Sequence, residues 1–442
     1  MQRQFPKILY VIGPPLRKSK KTRRPVWPHR LSPRMPIRSE KSLGVGNVLR
    51  PPTSENNNVE DLASWRALSQ MAEISNRKDV ISFYDAAARN DENNSHIKRR
   101  ETRIFYLRNF NNWMKSVFIS KSLQSLDVPS NRARILDLCC GKGGDQLKWL
   151  RGGVQHVTFV DLSNESIEVC RHRYEQLCRN KRSVFTADFF VADCSEAILP
   201  QVLPSGVLYD LVSCQFALHY AFESIAQARR ILSNISSLLQ ENGFFIATIP
   251  NAYELLRRAT EALNKHVEKQ VSESDIKEIK FGNPVYSVTF PKASFSISRT
   301  TTQTEDAVEL TFPLFGAKYN FFLDGVVNCP EFVVYPPLLD RLAADYGLVP
   351  VHEPISFANN FYSTLRSRSS PQDPKDLLKR MEALEPWHKS NNYPCSNDDE
   401  YIHLIDHQNS LRNNSCSYGT LSKSDWEVTS MYSLLAYKKK NE

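Results

Sequence analysis

Apolar positions fall into three successive patterns along the chain. The first is helical. Ile104, Leu107, Met114 and Val117 recur at helical spacing, with Phe110 and Phe118 widening the stripe, and predict an amphipathic helical segment over 99–124. The second alternates short apolar runs with amphipathic stretches. Strands are predicted at Arg134–Cys139, Val157–Val160, Phe189–Ala192, Leu208–Ser213 and Phe244–Ile249, with helices at Gly144–Arg151, Asn164–Leu177 and Phe222–Leu239. Ser163 or Asn164 suits the N-cap of the second helix, and Glu241-Asn242-Gly243 reads as a turn into the last strand. Strands that are apolar throughout, set between helices, predict a mostly parallel sheet covered on both faces.

The third pattern begins after Pro250, where the alternation weakens. Short aromatic and polar pieces such as Tyr286-Ser287-Val288-Thr289-Phe290 and Tyr319-Asn320-Phe321-Phe322-Leu323 predict an antiparallel β lobe inserted over the sheet at about 281–330. Segment 291–310, with Arg299-Thr300-Thr301-Thr302-Gln303-Thr304, reads as a surface loop of that lid. Residues 364–376 and 388–400 are polar and read as loops, and Ser430–Tyr437 as a final strand. Residues 1–57 carry no apolar periodicity and are rich in Pro, Arg and Lys. They read as a disordered basic tail ahead of one folded domain at 58–442.

Charge sharpens this division. The 442 residues carry a net +9, yet residues 1–50 alone sum to +12, so the remainder is slightly acidic at −3. Any basic site on the folded body is therefore a local cluster. Arg17-Lys18-Ser19-Lys20-Lys21-Thr22-Arg23-Arg24 fits a nuclear import signal, an RNA-contacting arm, or a merely solvated tail. No run of about 18 apolar residues predicts a membrane span, and the start lacks the pattern of a secretory signal. Nine scattered cysteines without Cys-x-x-Cys favour a reducing compartment and no structural zinc.

Candidate chemistry gathers at the strand ends, where open α/β sheets bind ligands. Three predicted strands end in an acid: Asp137, Asp161 and Asp193. After the first comes Cys140-Gly141-Lys142-Gly143-Gly144-Asp145, which is neither a dinucleotide fingerprint nor a P-loop. Asp161 follows Gly141 by 20 residues, where an acid accepts from both hydroxyls of a ribose. An acid-walled pocket suits a nucleoside bearing a cation and repels pyrophosphate, so S-adenosylmethionine (SAM) fits better than NAD. The plainer alternative is that all three are ordinary strand-end or capping acids.

Longer strings go beyond a generic fold. Arg103-Ile104-Phe105-Tyr106-Leu107-Arg108-Asn109-Phe110-Asn111-Asn112-Trp113-Met114-Lys115, the loop Asp137–Asp145, Ser213-Cys214-Gln215-Phe216-Ala217-Leu218-His219-Tyr220, Pro313-Leu314-Phe315-Gly316, Pro330-Glu331-Phe332-Val333-Val334-Tyr335 and Gly419-Thr420-Leu421-Ser422-Lys423-Ser424-Asp425-Trp426 stand out. Together they resemble the eukaryotic mRNA cap (guanine-N7) methyltransferases from about Ile81 to Tyr437. The resemblance implies a Rossmann-like SAM-dependent methyltransferase with a mostly parallel seven-stranded sheet. It also implies a division of residues. Lys115, Asp137, Cys139, Gly141, Asp161, Asp193, Gln215 and Tyr220 would hold SAM. Asn111, Asn112, Lys142, Lys148 and Arg173 would meet the cap nucleotide and its triphosphate, while His219, Glu331 and Tyr432 would frame the guanine. It further implies nuclear work on 5′-capped mRNA (GpppN ends) beside the RNA polymerase II capping machinery, and in some animals an activating subunit.

The chemistry agrees. Guanine presents two donors, N1–H and an exocyclic amine, on one edge, and a carboxylate such as Glu331 accepts from both. N7 carries a free in-plane lone pair, so the reaction needs no general base, metal or covalent relay, only alignment and electrostatics. One departure stands out: the family loop reads Asp-Leu-Gly-Cys-Gly, and this chain has Cys139 at the first glycine, where a positive φ is disfavoured. Two competing readings are a SAM methyltransferase for another substrate and a non-catalytic cap- or RNA-binding protein whose SAM site Cys139 has spoiled.

Overall fold

The computed structural model describes residues 9–10, 78–89, 100–268, 274–301, 306–366, 374–387, 398–403 and 418–441. A helix over 78–89 (α1) precedes the helix Phe105–Gln124 (α2). The sheet then builds as β1 (Arg134–Leu138), α3 (Gln146–Gly152), β2 (His156–Asp161), α4 (Asn164–Asn180), β3 (Thr186–Val191) and β4 (Tyr209–Gln215), followed by α5 (Ile225–Leu238) and β5 (Leu239–Pro250). Strands β1 and β2 are buried almost end to end because both faces are covered. Alternate residues serve opposite layers. Ile135 and Val157 pack with Leu107, Phe110 and Trp113 of α2, whereas Leu136, Leu138 and Val160 pack with Ile231, Leu232 and Ile235 of α5. Ser163 caps α4, its Oγ accepting from Ser166 N at 3.0 Å, a bond of the kind that contributes about 1 kcal/mol.

The inserted lobe comprises β6 (Glu278–Asn283), β7 (Tyr286–Pro291), β8 (Ser296–Thr301), β9 (Asp306–Thr311), β10 (Lys318–Leu323) and β11 (Val327–Phe332). Four of these form an antiparallel sheet in the order β11-β10-β7-β6, and β8 and β9 pair as a hairpin. Strand β7 alternates buried and half-buried positions, the mark of a sheet with one covered face. Gly316 N donates to Phe222 O at 3.0 Å and Phe315 stacks on Phe222 at 5.9 Å, which fastens the lobe to the sheet's carboxyl edge.

Strands β12 (Leu348–Pro350) and β13 (Tyr432–Lys439) complete the large sheet in the order β12-β13-β5-β4-β1-β2-β3, with Ile355–Ser356 also pairing on β13. Only β13 is reversed relative to its neighbours. The strand order turns back between β1 and β4, which makes their carboxyl ends the topological switch point.

The sequence expectations need several corrections. The long helix starts at Phe105, not at 99. The turn expected at Glu241–Gly243 lies inside the continuous strand β5. There Asn242 takes φ +62°, and the β4–β5 register slips between Tyr209 and Leu211, so a bulge replaces the turn. The helix expected from Phe222 divides into a 3-10 turn, Leu218–Glu223, and α5, because Ser224 caps α5 with its hydroxyl. The loop expected over 291–310 holds the β8–β9 hairpin, whose Thr-rich strands favour pairing. Helices Phe357–Arg366 and Pro374–Arg380 reach into the ends of the expected 364–376 loop, and 388–397 lies outside the described residues. Within the basic tail Leu9 and Tyr10 pair in parallel with Tyr418 and Gly419; the rest of 1–57, with Arg17–Arg24, lies outside the described residues.

Candidate functional site

At the switch point the chain leaves β1 through Cys139 and climbs to α3 over a loop that glycine permits. Gly143 has φ +68°, and a Cβ there would meet Gln146 Nε2 at 2.5 Å and Cys170 Sγ at 2.6 Å. Cys139 takes φ +52° without being glycine, and Phe216, just past β4, takes φ +59°. Left-handed backbone at two side-chain-bearing residues beside one cavity marks a shape the surroundings impose.

That cavity has a volume of about 400 Å³, within the range of small-molecule sites. All eight residues expected to hold SAM line it: Lys115, Asp137, Cys139, Gly141, Asp161, Asp193, Gln215 and Tyr220. Asp161 accepts from Gly141 N at 2.8 Å and Ser163 N at 2.9 Å, so it also pins the glycine loop. Burial pushes its carboxyl up to about 6 despite those amides. Asp193 accepts from the amide and hydroxyl of Ser195 at 2.8 and 2.7 Å. On Asp161 each carboxylate oxygen keeps a second lone pair for a ligand, whereas both Ser195 bonds fall on Oδ1 of Asp193.

Deeper in, Asp145 is the hinge of the electrostatics. Lys115 Nζ lies 2.8 Å from its carboxylate and Lys148 Nζ 2.6 Å. Burial alone would raise Asp145, but the two ammonium groups hold it well below the usual carboxylate range. Burial lowers Lys148 to about 8. Burial and the nearby Asp145 raise Asp137 to about 8, although Trp149 Nε1 donates to it at 2.9 Å. The pocket is thus less acidic at neutral pH than three strand-end carboxylates suggest. An arriving cation would favour ionised Asp137.

The residues expected to meet the cap divide into three groups. Lys142 and Arg173 line the same cavity, with Arg173 Nη1 donating to Lys142 O at 2.9 Å. Lys148 does not line the cavity. It is buried against Asp145, a carboxylate it shares with Lys115, and donates to Asn112 Oδ1 at 3.3 Å. Asn111, one residue earlier on α2, accepts from Thr429 Oγ1 at 2.7 Å. The guanine frame stays together but does not line the cavity. His219 Nε2 lies 3.4 Å from Glu331, whose other oxygen accepts from Tyr319 OH at 2.7 Å. Tyr432 packs edge-on to Phe216 at 4.8 Å. Glu331 sits between Pro330 and Phe332 on β11, and those two neighbours do face the cavity. Both ring nitrogens of His219 are buried without a hydrogen-bond partner.

Several site residues were missed from sequence. Val80, Ile81 and Tyr84 of α1 wall the cavity, and the Tyr84 hydroxyl lies 3.0 Å from that of Tyr220. Ser163 Oγ donates to Asp85 Oδ1 at 2.5 Å, and Lys142 Nζ donates to Ala87 O at 3.1 Å, which tie α1 down as a cover. The spacing Val80-Ile81-x-x-Tyr84 is one turn of an apolar stripe and was the available signal. Asp145 and Phe216 had no such signal, because their roles come from partners distant in sequence.

The chain matches the mRNA (guanine-N(7))-methyltransferase domain family over residues 68–440. An mRNA cap guanine-N(7) methyltransferase from Drosophila melanogaster is 38% identical over 350 residues, covering 77% of this chain and 73% of the relative. One from Caenorhabditis elegans is 35% identical over 346 residues, covering 77% and 82%. A solved SAM-dependent methyltransferase from Clostridium acetobutylicum shares 11% identity at a TM-score of 0.35, over 75% of this chain and 92% of that one, a likeness on which no argument rests.

Proposed function

The chain belongs to the mRNA (guanine-N7)-methyltransferase family, and on that premise we propose how its residues divide the family's reaction between a donor hollow and an acceptor hollow. The activity is SAM-dependent methylation of the mRNA cap guanosine at N7, with capped mRNA as substrate. One observation carries the assignment of residues: the strand-end acids Asp137, Asp161 and Asp193 share a single cavity with Lys142, Arg173 and the two neighbours of Glu331.

In the donor hollow Asp161 accepts from the ribose hydroxyls and Asp193 from the adenine amine. Lys115, held at the cavity wall by Asp145, meets the methionine carboxylate. Gly141 and Cys139 let the backbone pass beneath the methionine portion, and Gln215 and Tyr220 face its sulfonium side. When bound, SAM supplies an electrophilic methyl group on a positively charged sulfur. The rest is done by the chain. The cover of α1 and Tyr84 excludes water.

In the acceptor hollow Glu331 reads the N1–H and amine edge of guanine. His219 and Tyr432 would hold the ring plane and so orient N7 toward the donor hollow. Lys142 and Arg173 meet the triphosphate, while Lys148 acts through Asp145 and Asn112. A positive charge arises on the purine as the methyl arrives, and the Glu331 carboxylate stabilises it. Tyr319 keeps that carboxylate oriented. Nuclear localisation follows in this reading from the cluster Arg17–Arg24, and an activating subunit and the polymerase II machinery from the family's place in capping. The domain itself spans 58–442.

The test is transfer of a labelled methyl from SAM to RNA ending in unmethylated GpppN, then nuclease digestion to locate the label. Label at N7 of the terminal guanosine supports the reading. Label on another atom, or none in the presence of intact SAM binding, overturns it.

A further inference from the structure

One carboxylate sits between two lysines beside the donor cavity. Asp145 occupies the N-cap position of α3, and Lys148, three residues on, lies on the same face of that helix. Lys115 reaches them from α2. Lys115 Nζ lies 2.8 Å from Asp145 Oδ1 and 3.0 Å from Oδ2, and Lys148 Nζ lies 2.6 Å from Oδ1. All three side chains are largely buried, yet only Lys115 and Asp145 line the cavity.

The two lysines are placed differently. Lys148 has no donor to spare. Its three close oxygens are Asp145 Oδ1, Gly144 O at 3.1 Å and Asn112 Oδ1 at 3.3 Å, and they match the three N–H bonds of an ammonium. The close oxygens of Lys115 both belong to Asp145, and its Nζ stands 5.7 Å from the centre of the Phe216 ring. Among the described residues this leaves an N–H bond of Lys115 for a ligand.

The charges do not cancel. Burial lowers Lys148 only to about 8, so it carries its proton at neutral pH, and Asp145 is held ionised well below the usual carboxylate range. Asp137 adds little negative charge, because burial and Asp145 raise it to about 8. One carboxylate between two ammonium groups leaves a net positive charge. Without Lys148, Lys115 and Asp145 would form a closed neutral pair. An arriving carboxylate would then be repelled by Asp145 nearly as strongly as it is drawn to Lys115.

We propose that Asp145 and Lys148 are positioning residues for the donor's carboxylate. Asp145 fixes the Lys115 ammonium at the cavity wall, and Lys148, which touches no ligand, offsets Asp145 so that Lys115 keeps its charge for the methionine end of SAM. Lys148 then belongs to donor recognition and not to the triphosphate contact. The proposal rests on the SAM reading of the cavity and adds the source of its selectivity for a nucleoside that carries an amino acid.

Calorimetry on the full chain compares SAM with decarboxylated SAM, which keeps the nucleoside and the sulfonium but lacks the carboxylate. Lys148→Met keeps an apolar stem and removes the charge. It should weaken SAM by about tenfold and leave decarboxylated SAM no weaker. Adding Asp145→Asn restores the net charge at Lys115, and should return SAM affinity to within about threefold of wild type. In methyl transfer at saturating SAM, the KM of Lys148→Met for capped RNA should stay within about threefold of wild type. Equal weakening of both donors, or a double variant no better than the single one, would make Lys148 merely structural and overturns the proposal. Unchanged SAM affinity with a raised KM for capped RNA, the result expected of a triphosphate contact, overturns it as well. Wild-type chain without affinity for SAM overturns the functional reading itself, and that result is seen before any variant is compared.

Discussion

The cavity proposed for SAM and the cluster proposed to frame guanine are built in different ways. Apart from Lys115, the residues assigned to SAM lie between Asp137 and Tyr220, at the ends of β1, β2, β3 and β4 or just past them. A parallel sheet sets its strand ends side by side, so forming the sheet assembles this hollow. The guanine frame draws instead on the 3-10 turn after β4, on β11 of the lobe and on β13 near the carboxyl terminus. It exists only when the lobe has docked and the last strand has paired. The acids of the donor cavity come with the sheet, although α1 and Pro330 and Phe332 of the lobe complete its wall, whereas the guanine frame depends on the insertion resting on the sheet.

If the hollows are separable in this way, changes to one should leave ligand binding at the other intact. Asp161→Ala is the strongest test. It removes charge-assisted acceptance from the ribose and unpins Gly141 and Ser163, and should weaken SAM by about 100-fold, roughly 3 kcal/mol. Calorimetry reads this directly, and a change below threefold ends the assignment of Asp161. Glu331→Gln should keep SAM affinity within twofold yet lower kcat/KM for capped RNA by about 30-fold, as expected for loss of a buried charge that meets the transition state. Loss of SAM affinity in this variant would show that the hollows are not independent.

Acid should separate them too. The Asp161 carboxyl sits at about 6, above its ordinary value, and its ionised form is the acceptor. At pH 5 about one-tenth remains ionised, so SAM affinity should fall about tenfold between pH 7 and pH 5. Stability of the ligand-free chain has the opposite sign. A raised carboxyl binds its proton more tightly when folded, so its contribution is full below the ordinary value and lost as pH rises through about 6, and for Asp137 through about 8. Parallel titrations of SAM affinity and urea midpoint check both slopes. If SAM affinity does not fall between pH 7 and pH 5, the hydrogen-bond role given to Asp161 is wrong. A smaller effect belongs to Tyr319→Phe. It removes only the hydroxyl that orients Glu331, and should lower kcat/KM about fivefold, roughly 1 kcal/mol, with SAM affinity unchanged.

The same contrast explains what could be read from sequence. Strands β1, β2, β4 and β5 and the acids at the strand ends show in a few adjacent residues, because burial on both faces leaves a nearly unbroken apolar run and the ligand site follows at its end, while the edge strand β3 shows only through Phe189 and Phe190. The β8–β9 hairpin did not show, since Ser296–Thr301 and Asp306–Thr311 are polar and their pairing is decided by each other. The compensation of Lys148 by Asp145 was invisible because lysine in sequence looks the same whether solvated or buried. The cover formed by α1 needed knowledge of where Tyr220 and Ser163 would be. The resemblance to a family supplied the guanine frame, which no local pattern would have assembled from His219, Glu331 and Tyr432.

Cys139, just past the end of β1 in the donor cavity, gives the smallest effect. Its φ of +52° costs a side-chain-bearing residue about 1 kcal/mol, and Cys139→Gly would relieve that. Against this, glycine loses about 0.5–1 kcal/mol more conformational entropy on folding, and the variant forfeits side-chain packing against the layer that holds Cys194 and Cys214. The terms nearly cancel, so the thermal midpoint should move by no more than about 2 °C. A fall well beyond that would show that the Cys139 side chain anchors the donor loop. A clear rise would show that the chain carries strain at the mouth of its donor hollow for some purpose other than stability.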